Sequence, residues 1–186
     1  MSKQTNDRKI EHINIITNDE TVDRKKFYFD DVLLKHRAMP EIDLEDVDTS
    51  CTVLGKELSF PLLISSMTGG DHELVKTINK NLATAAEACK VAMGVGSQRV
   101  MFENPDAAES FAIRQYAPTT LLFANLGAVQ LNYGFTETEC QAAVDHLEAD
   151  ALFLHLNPLQ EAVQPEGDCN FADLCKQIGE INKKLT

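Results

Sequence analysis

The sequence predicts an α/β fold in which parallel strands alternate with helices, and three observations lead to it. Four short apolar runs, PLLISS from Pro61, VAMGVG from Val91, LLFA from Leu121 and ALFL from Ala151, begin thirty residues apart. Each is rich in strand-forming or small residues and bounded by turn residues, as a strand buried on both faces of a parallel sheet should be. The stretches between them carry helical spacing and helix caps. A doubly wound open sheet would alternate in the same way, but the GxGxxG turn that would favour a dinucleotide fold is absent after the first strand. The expected architecture is therefore a (β/α)8 barrel of the TIM type, present as its first four or so strand–helix units.

Each element has its own justification. Residues 1–50 form a polar, acidic lead-in with one apolar patch from Phe27 to Leu34, and residues 51–186 form the half-barrel. CTVLGKELSF, from Cys51 to Phe60, predicts a small hairpin turning near Gly55 and placed to plug the barrel bottom. From His72 to Lys90, Leu74, Val75, Ile78, Leu82, Ala85, Ala86 and Cys89 keep helical spacing and would face the sheet. Asn104 and Pro105 suit the N-cap and first position of a second helix, with Ala108, Phe111 and Ala112 inward. Thr136 and Glu139 form a capping box ahead of Cys140, Ala143, Val144 and Leu147. A fourth helix after Asn170 would turn Phe171, Leu174, Ile178, Ile181 and Leu185 inward.

Charge and composition exclude several classes of partner. A formal net charge of −12 argues against nucleic acid or an anionic membrane, both of which are bound through clustered Lys and Arg. The amino terminus is too polar for a signal peptide, and no apolar run approaches the roughly 18 to 20 residues that span a bilayer. The 5 cysteines show no CxxC pair or zinc-type spacing, so buried thiols in a reducing compartment, the cytoplasm, are expected.

Polar residues gather where the strands end, and in a barrel those ends open on one ligand-binding face. They are Met67-Thr68-Gly69-Gly70, Ser97-Gln98-Arg99, Asn125, and His155 with Asn157, Gln160 and Glu161. Singly, each has a structural reading: a tight turn, a helix cap, a hydrogen-bonded core histidine or a solvated carboxylate. Four successive strands presenting polar groups at one end make the signal. Gly69 and Gly70 permit close backbone approach to a flat or phosphorylated ligand, and Asn125 offers donor and acceptor to a heterocycle edge. Arg99 supplies a planar fork for phosphate oxygens. Arg8, Lys9 and His12 are a cationic cluster in an acidic chain, either a disordered tail or, folded over the barrel mouth, a phosphate clamp. Glu161 suits Mg2+, which is often held by one or two carboxylates, waters and substrate phosphate oxygens.

RKIEH at 8–12, FDDVLLKHRAMPEI at 29–42, SSMTGG at 65–70, GSQR at 96–99, ANLGAVQL at 124–131 and HLNPLQE at 155–161 together resemble the type 2 isopentenyl-diphosphate isomerases. The resemblance covers nearly the whole chain, and six motifs in one order make it specific. It implies a barrel flavoprotein that uses reduced FMN and Mg2+ to interconvert isopentenyl and dimethylallyl diphosphate in isoprenoid synthesis, with NADPH as flavin reductant. It also implies a homo-oligomer, a tetramer or larger. On this resemblance Arg8, Lys9, His12, Ser97, Gln98 and Arg99 hold the diphosphate, while Asn157 and Gln160 line the substrate site. Ser66, Met67, Thr68, Ser97 and Asn125 contact FMN, Glu161 ligates Mg2+, and His155 and Gln160 are the catalytic candidates. Reduced flavin N5 would handle the protons, leaving the protein to supply position and electrostatics.

Barrels of this type need eight units, so the resemblance further implies an amino-terminal half, incomplete and inactive alone. Three alternatives stand beside it. One is an enzyme completed by a second polypeptide or copy. Another is a non-catalytic remnant that binds a partner through open sheet edges. The third is a different FMN-dependent barrel oxidoreductase, such as a hydroxy-acid oxidase, which HLNPLQE and RKIEH suit less well.

Overall fold

The computed structural model describes residues 2–22 and 28–185. Four parallel strands form one sheet in sequence order: β3 (Leu63–Ile64), β4 (Ala92–Gly94), β5 (Leu122–Gly127) and β6 (Ala151–His155). An antiparallel hairpin, β1 (Cys51–Val53) and β2 (Lys56–Leu58), precedes them. The α-helices among the described residues are α1 (Ser2–Asn18), α2 (Glu73–Cys89), α3 (Arg99–Glu103), α4 (Glu137–Leu147), α5 (Pro158–Val163) and α6 (Leu174–Ile181).

Alternation along the strands sorts their side chains to two faces. Met93, Leu122 and Ala124 pack outward with Ala83, Ala86, Phe111 and Leu147, and Leu126 joins Cys140, Ala143, Leu174 and Ile181. The opposite face carries Ala92, Phe123, Ala151 and Phe153, against which Leu58 of β2 packs. The hairpin thus covers this face at the amino ends of the strands, where a plug was expected. Register aligns Asn125 with Phe153 and Gly127 with His155, so the polar residues of β5 and β6 share one face at their carboxyl ends.

Several local expectations hold. A helix spans Glu73–Cys89 where helical spacing was expected from His72 to Lys90, and His72, not foreseen as a cap, accepts from Leu74 N at 3.1 Å. Thr136 and Glu139 form the capping box of α4, and α6 buries Leu174 and Ile181 with Phe171, Ile178 and Leu185 beside them. Others need correction. Strands buried on both faces describe β4 and β5, whereas β3 and β6 are half-buried or exposed, because each outer strand has a neighbour on one side only.

The sheet-facing stripe of α2 is Val75, Asn79, Ala83 and Ala86, while Leu74, Ala85 and Cys89 are exposed. The helix is turned by Asn79, whose amide donates to Ser110 O at 2.9 Å. Residues Pro105–Phe111 form a 3-10 helix, and its three-residue turn buries Ala107 and Ser110 in place of Ala108. Of the cysteines, all free, only Cys140 is buried, and burial pushes its thiol up to about 11. Cys89, Cys169 and Cys175 lie at a helix end, in a loop and on a helix side, and all three are exposed.

The lead-in contains a helix where a polar tail was one expectation, and its apolar patch is exposed at Phe29, Leu33 and Leu34. Phe27 lies outside the described residues. No described helix is long and apolar enough to cross a membrane.

Candidate functional site

A cleft of about 610 Å3 opens at the carboxyl ends of the four strands, a size suited to a small-molecule ligand. The loops after the strands deliver its lining. Ser66, Met67 and Gly69 follow β3, Ser97 and Arg99 follow β4, and Asn125 and Gly127 stand on the inner face at the end of β5. His155 ends β6, and Asn157, Gln160 and Glu161 come from the start of α5, whose first residue, Pro158, is compatible with the opening turn of a helix. His12, from α1, also lines the cleft.

Hydrogen bonds set the pose of the central residues. His155 Nδ1 lies 2.7 Å from Asn125 Oδ1. A carbonyl oxygen only accepts, so Nδ1 donates, and in the neutral ring Nε2 becomes the acceptor nitrogen. The backbone of Asn125 is fixed by Gln98, whose Oε1 accepts from Asn125 N at 3.0 Å and whose Nε2 donates to Ala143 O at 2.9 Å. Gly96 N donates to Thr68 O at 2.9 Å and ties the first loop to the second.

Arg99 Nη1 donates to Asp168 Oδ2 at 2.9 Å, and Gln130 Nε2 donates to the same oxygen at 2.9 Å. Glu161 accepts from Asn157 Nδ2 at 2.7 Å on one oxygen and from Asp168 N at 2.9 Å on the other. Asn157 Oδ1, on the same amide, is buried without a hydrogen-bond partner among the described residues. A carboxylate and an unsatisfied amide oxygen on neighbouring residues supply the oxygen chemistry that hard divalent cations take. No group of three or more His, Cys, Asp or Glu that could hold a metal by protein ligands alone occurs among the described residues.

Most predicted site residues therefore converge: His12, Ser66, Met67, Ser97, Arg99, Asn125, His155, Asn157, Gln160 and Glu161 line one cleft. Two stand behind it. Gln98 is wholly buried between β5 and α4, and Thr68 turns its hydroxyl to Asn79 Oδ1 of α2. Arg8 and Lys9 belong to α1, but their side chains fall outside the described residues. The space left by the missing Cβ of Gly69 is filled by the Phe111 ring, since a Cβ there would stand 2.3 Å from it.

Sequence reasoning missed Gln130 and Asp168. Gln130, inside ANLGAVQL, is a polar residue in an otherwise apolar stretch, which is a usable signal. Asp168 has none, because its partner Arg99 is 69 positions away.

Comparison with known proteins gives the same direction. Over 178 residues, 96% of this chain and 51% of the relative, it is 57% identical to the isopentenyl-diphosphate delta-isomerase of Paracoccus zeaxanthinifaciens. It is 55% identical to that of Hydrogenovibrio crunogenus over 96% of this chain and 52% of the relative. For the Nostoc sp. enzyme the identity is 52% over 99% of this chain and 53% of the relative. The chain spans about half the length of the curated relatives it matches. The resemblance carried by the six motifs is borne out. Residues 1–118 match the family model described as FMN-dependent dehydrogenase, and with a parallel α/β sheet that opens its polar cleft at the strand ends, the chain belongs to the FMN-dependent dehydrogenase family.

Proposed function

We propose that this chain supplies the amino-terminal four strand–helix units of a (β/α)8-barrel isomerase that interconverts isopentenyl and dimethylallyl diphosphate. The observation that carries this reading is a pairing within one cleft. Arg99 and Glu161 line the same cleft and are joined through Asp168, with the unsatisfied Asn157 Oδ1 on the residue that donates to Glu161, which suits an anion subsite next to a hard-cation subsite. A diphosphate together with Mg2+ would suit both at once.

Moving a carbon–carbon double bond requires a proton added at one carbon and removed from another, beside an apolar tail. Arg99, the amide of Asn157 and His12 would hold the diphosphate, with Arg8 and Lys9 as further contacts. Glu161 would hold Mg2+ through its carboxylate. His155, kept in one tautomer by Asn125, would present Nε2 to the substrate, and Gln160 would orient the hydrocarbon end. Ser66, Met67, Ser97 and Asn125 suit the edge of a flat heterocycle. When bound, reduced FMN would supply proton handling at N5, with NADPH as its reductant. Free thiols suit a cytoplasmic setting, and the resemblance favours a homo-oligomer, a tetramer or larger.

A second reading, oxidation of a small 2-hydroxy acid, is favoured by the description of the family and by His155 as a base. It leaves Glu161 and the orphaned Asn157 oxygen without a task.

A chimera tests the choice. The corresponding half of the Paracoccus enzyme would be replaced by this chain and supplied with reduced FMN, Mg2+ and isopentenyl diphosphate. Formation of dimethylallyl diphosphate, followed by NMR and lost on Glu161→Gln, is the expected result. A folded, FMN-loaded chimera that oxidises 2-hydroxy acids and leaves isopentenyl diphosphate unchanged would sink the isomerase reading.

A further inference from the structure

We propose that Asp168 is a positioning residue that fixes the anion-binding and metal-binding sides of the cleft relative to each other. The inference rests on the reading of the cleft as a diphosphate–Mg2+ site. One oxygen of Asp168 accepts from both Arg99 Nη1 and Gln130 Nε2, each at 2.9 Å, while its own N–H donates to Glu161 Oε2 at 2.9 Å. Three groups that line the cleft, brought by α3, by the turn after β5 and by α5, are thus referred to a single residue.

Two observations say that this is positioning and not occupation of the anion site. Asp168 itself does not line the cleft, although Arg99, Gln130 and Glu161 all do. Its carboxylate meets the guanidinium at 2.9 Å and is only 22% exposed, against 24% for Arg99. Shielding of that order raises a pair above the small contribution of a surface ion pair. The backbone is shaped for the task as well. Gly167 N donates to Gln164 O at 3.1 Å, and the turn lies so close on α5 that a Cβ at Gly167 would stand 1.8 Å from Glu161 O. Only a residue without a side chain lets Asp168 N reach the Glu161 carboxylate.

A counter-anion and a positioning residue predict opposite signs. If Asp168 merely neutralised Arg99, its removal would free the cation and tighten anion binding. If it positions Arg99 and Glu161, its removal weakens anion binding and raises the Mg2+ requirement together. Calorimetric titration of the chain with pyrophosphate at several Mg2+ concentrations separates the two.

Asp168→Ala is expected to lower pyrophosphate affinity about 10-fold, the effect of losing one or two hydrogen bonds to charged groups, and to shift the Mg2+ dependence upward. Asp168→Asn, nearly isosteric, should lose a few-fold and guards against a misfolded alanine variant. Thr136→Ala, which removes the cap of α4, serves as the control for stability loss alone and should leave the affinity unchanged. Unchanged or tighter pyrophosphate binding by both Asp168 variants, with the wild type binding normally, overturns the positioning role alone. A folded wild type that binds no pyrophosphate with Mg2+ overturns the diphosphate reading and this inference with it.

Discussion

Two arginines at opposite ends of the sheet do opposite work. Arg114, near the amino ends of the strands, uses every N–H it has. Nε donates to Glu148 O, Nη1 to Ala117 O and Thr120 O, and Nη2 to Glu148 O and Asp150, at distances from 2.6 to 3.0 Å. Arg99, at the carboxyl ends, is held at Nη1 by Asp168, with Glu103 3.6 Å from Nε, and faces a cleft. The surroundings repeat the contrast. Asp150 accepts from Lys56 Nζ at 2.7 Å, Arg114 Nη2 at 3.0 Å and Leu122 N at 2.8 Å, whereas Asn157 Oδ1 at the other end accepts from nothing among the described residues. A saturated guanidinium is part of the scaffold. One with capacity facing a cleft is equipped for a ligand.

The comparison breaks most visibly if the two arginines are exchanged for alanine. Arg114→Ala takes the donors from the carbonyls of Ala117, Thr120 and Glu148 and one of the three donors from Asp150, and in this partly buried network should destabilise the fold by about 3 kcal/mol. Thermal unfolding by circular dichroism should fall by roughly 10 °C for a chain of this size, with pyrophosphate affinity of the folded protein unchanged. Arg99→Ala should do the reverse: a smaller loss of stability, about 1 to 2 kcal/mol for one partly shielded pair, and pyrophosphate affinity lower by on the order of 10- to 100-fold. Similar losses of both properties in both variants would erase the division between the ends.

Asp150 sharpens the same contrast through pH. Burial alone would raise its pKa, but donors from Lys56, Leu122 and Arg114 outweigh it, and the carboxyl sits below its ordinary 3.8. A lowered folded-state pKa means stability that is present above the unfolded value and lost as pH falls through the folded one. Asp150→Asn should therefore cost about 2 kcal/mol near neutrality, and the gap from wild type should close below pH 3.8. A gap that persists in acid would assign the effect to packing.

Gln98 gives the smallest expected effect and the finest discrimination. It was expected at the diphosphate, yet its amide laces Asn125 N to Ala143 O behind the cleft. Gln98→Ala should cost about 1 to 2 kcal/mol of stability by stranding those groups and reduce pyrophosphate affinity less than Arg99→Ala does. A larger loss of affinity than of stability would return Gln98 to the ligand.

Much of this was legible in the sequence because local rules set it. Strands expected from Val91, Leu121 and Ala151 begin at Ala92, Leu122 and Ala151, since a thirty-residue unit leaves little freedom in where apolar runs pair. Thr136 and Glu139 cap α4 because a capping box needs only four consecutive residues. What escaped depends on tertiary contact. Asn79 turns the face of α2 toward partners at Thr68 and Ser110, and a stripe of apolar spacing cannot register an inward amide. The 3-10 winding of Pro105–Phe111 follows a good N-cap, so the cap was read and the pitch was not. Asp168 is visible only once the turn at Gly167 brings it to Arg99.

The two ends are also kept apart. Phe123 and Phe153 lie parallel, 4.3 Å between ring centroids and 4° between planes, with Leu58 and Ala92 around them and Phe153 at the cleft floor. The rings act as an insulating partition between the charges under the sheet and those above it. Substitutions that harden the lower end against heat can therefore accumulate without retuning the chemistry overhead, and the upper loops are free to diverge toward new ligands on an unchanged base.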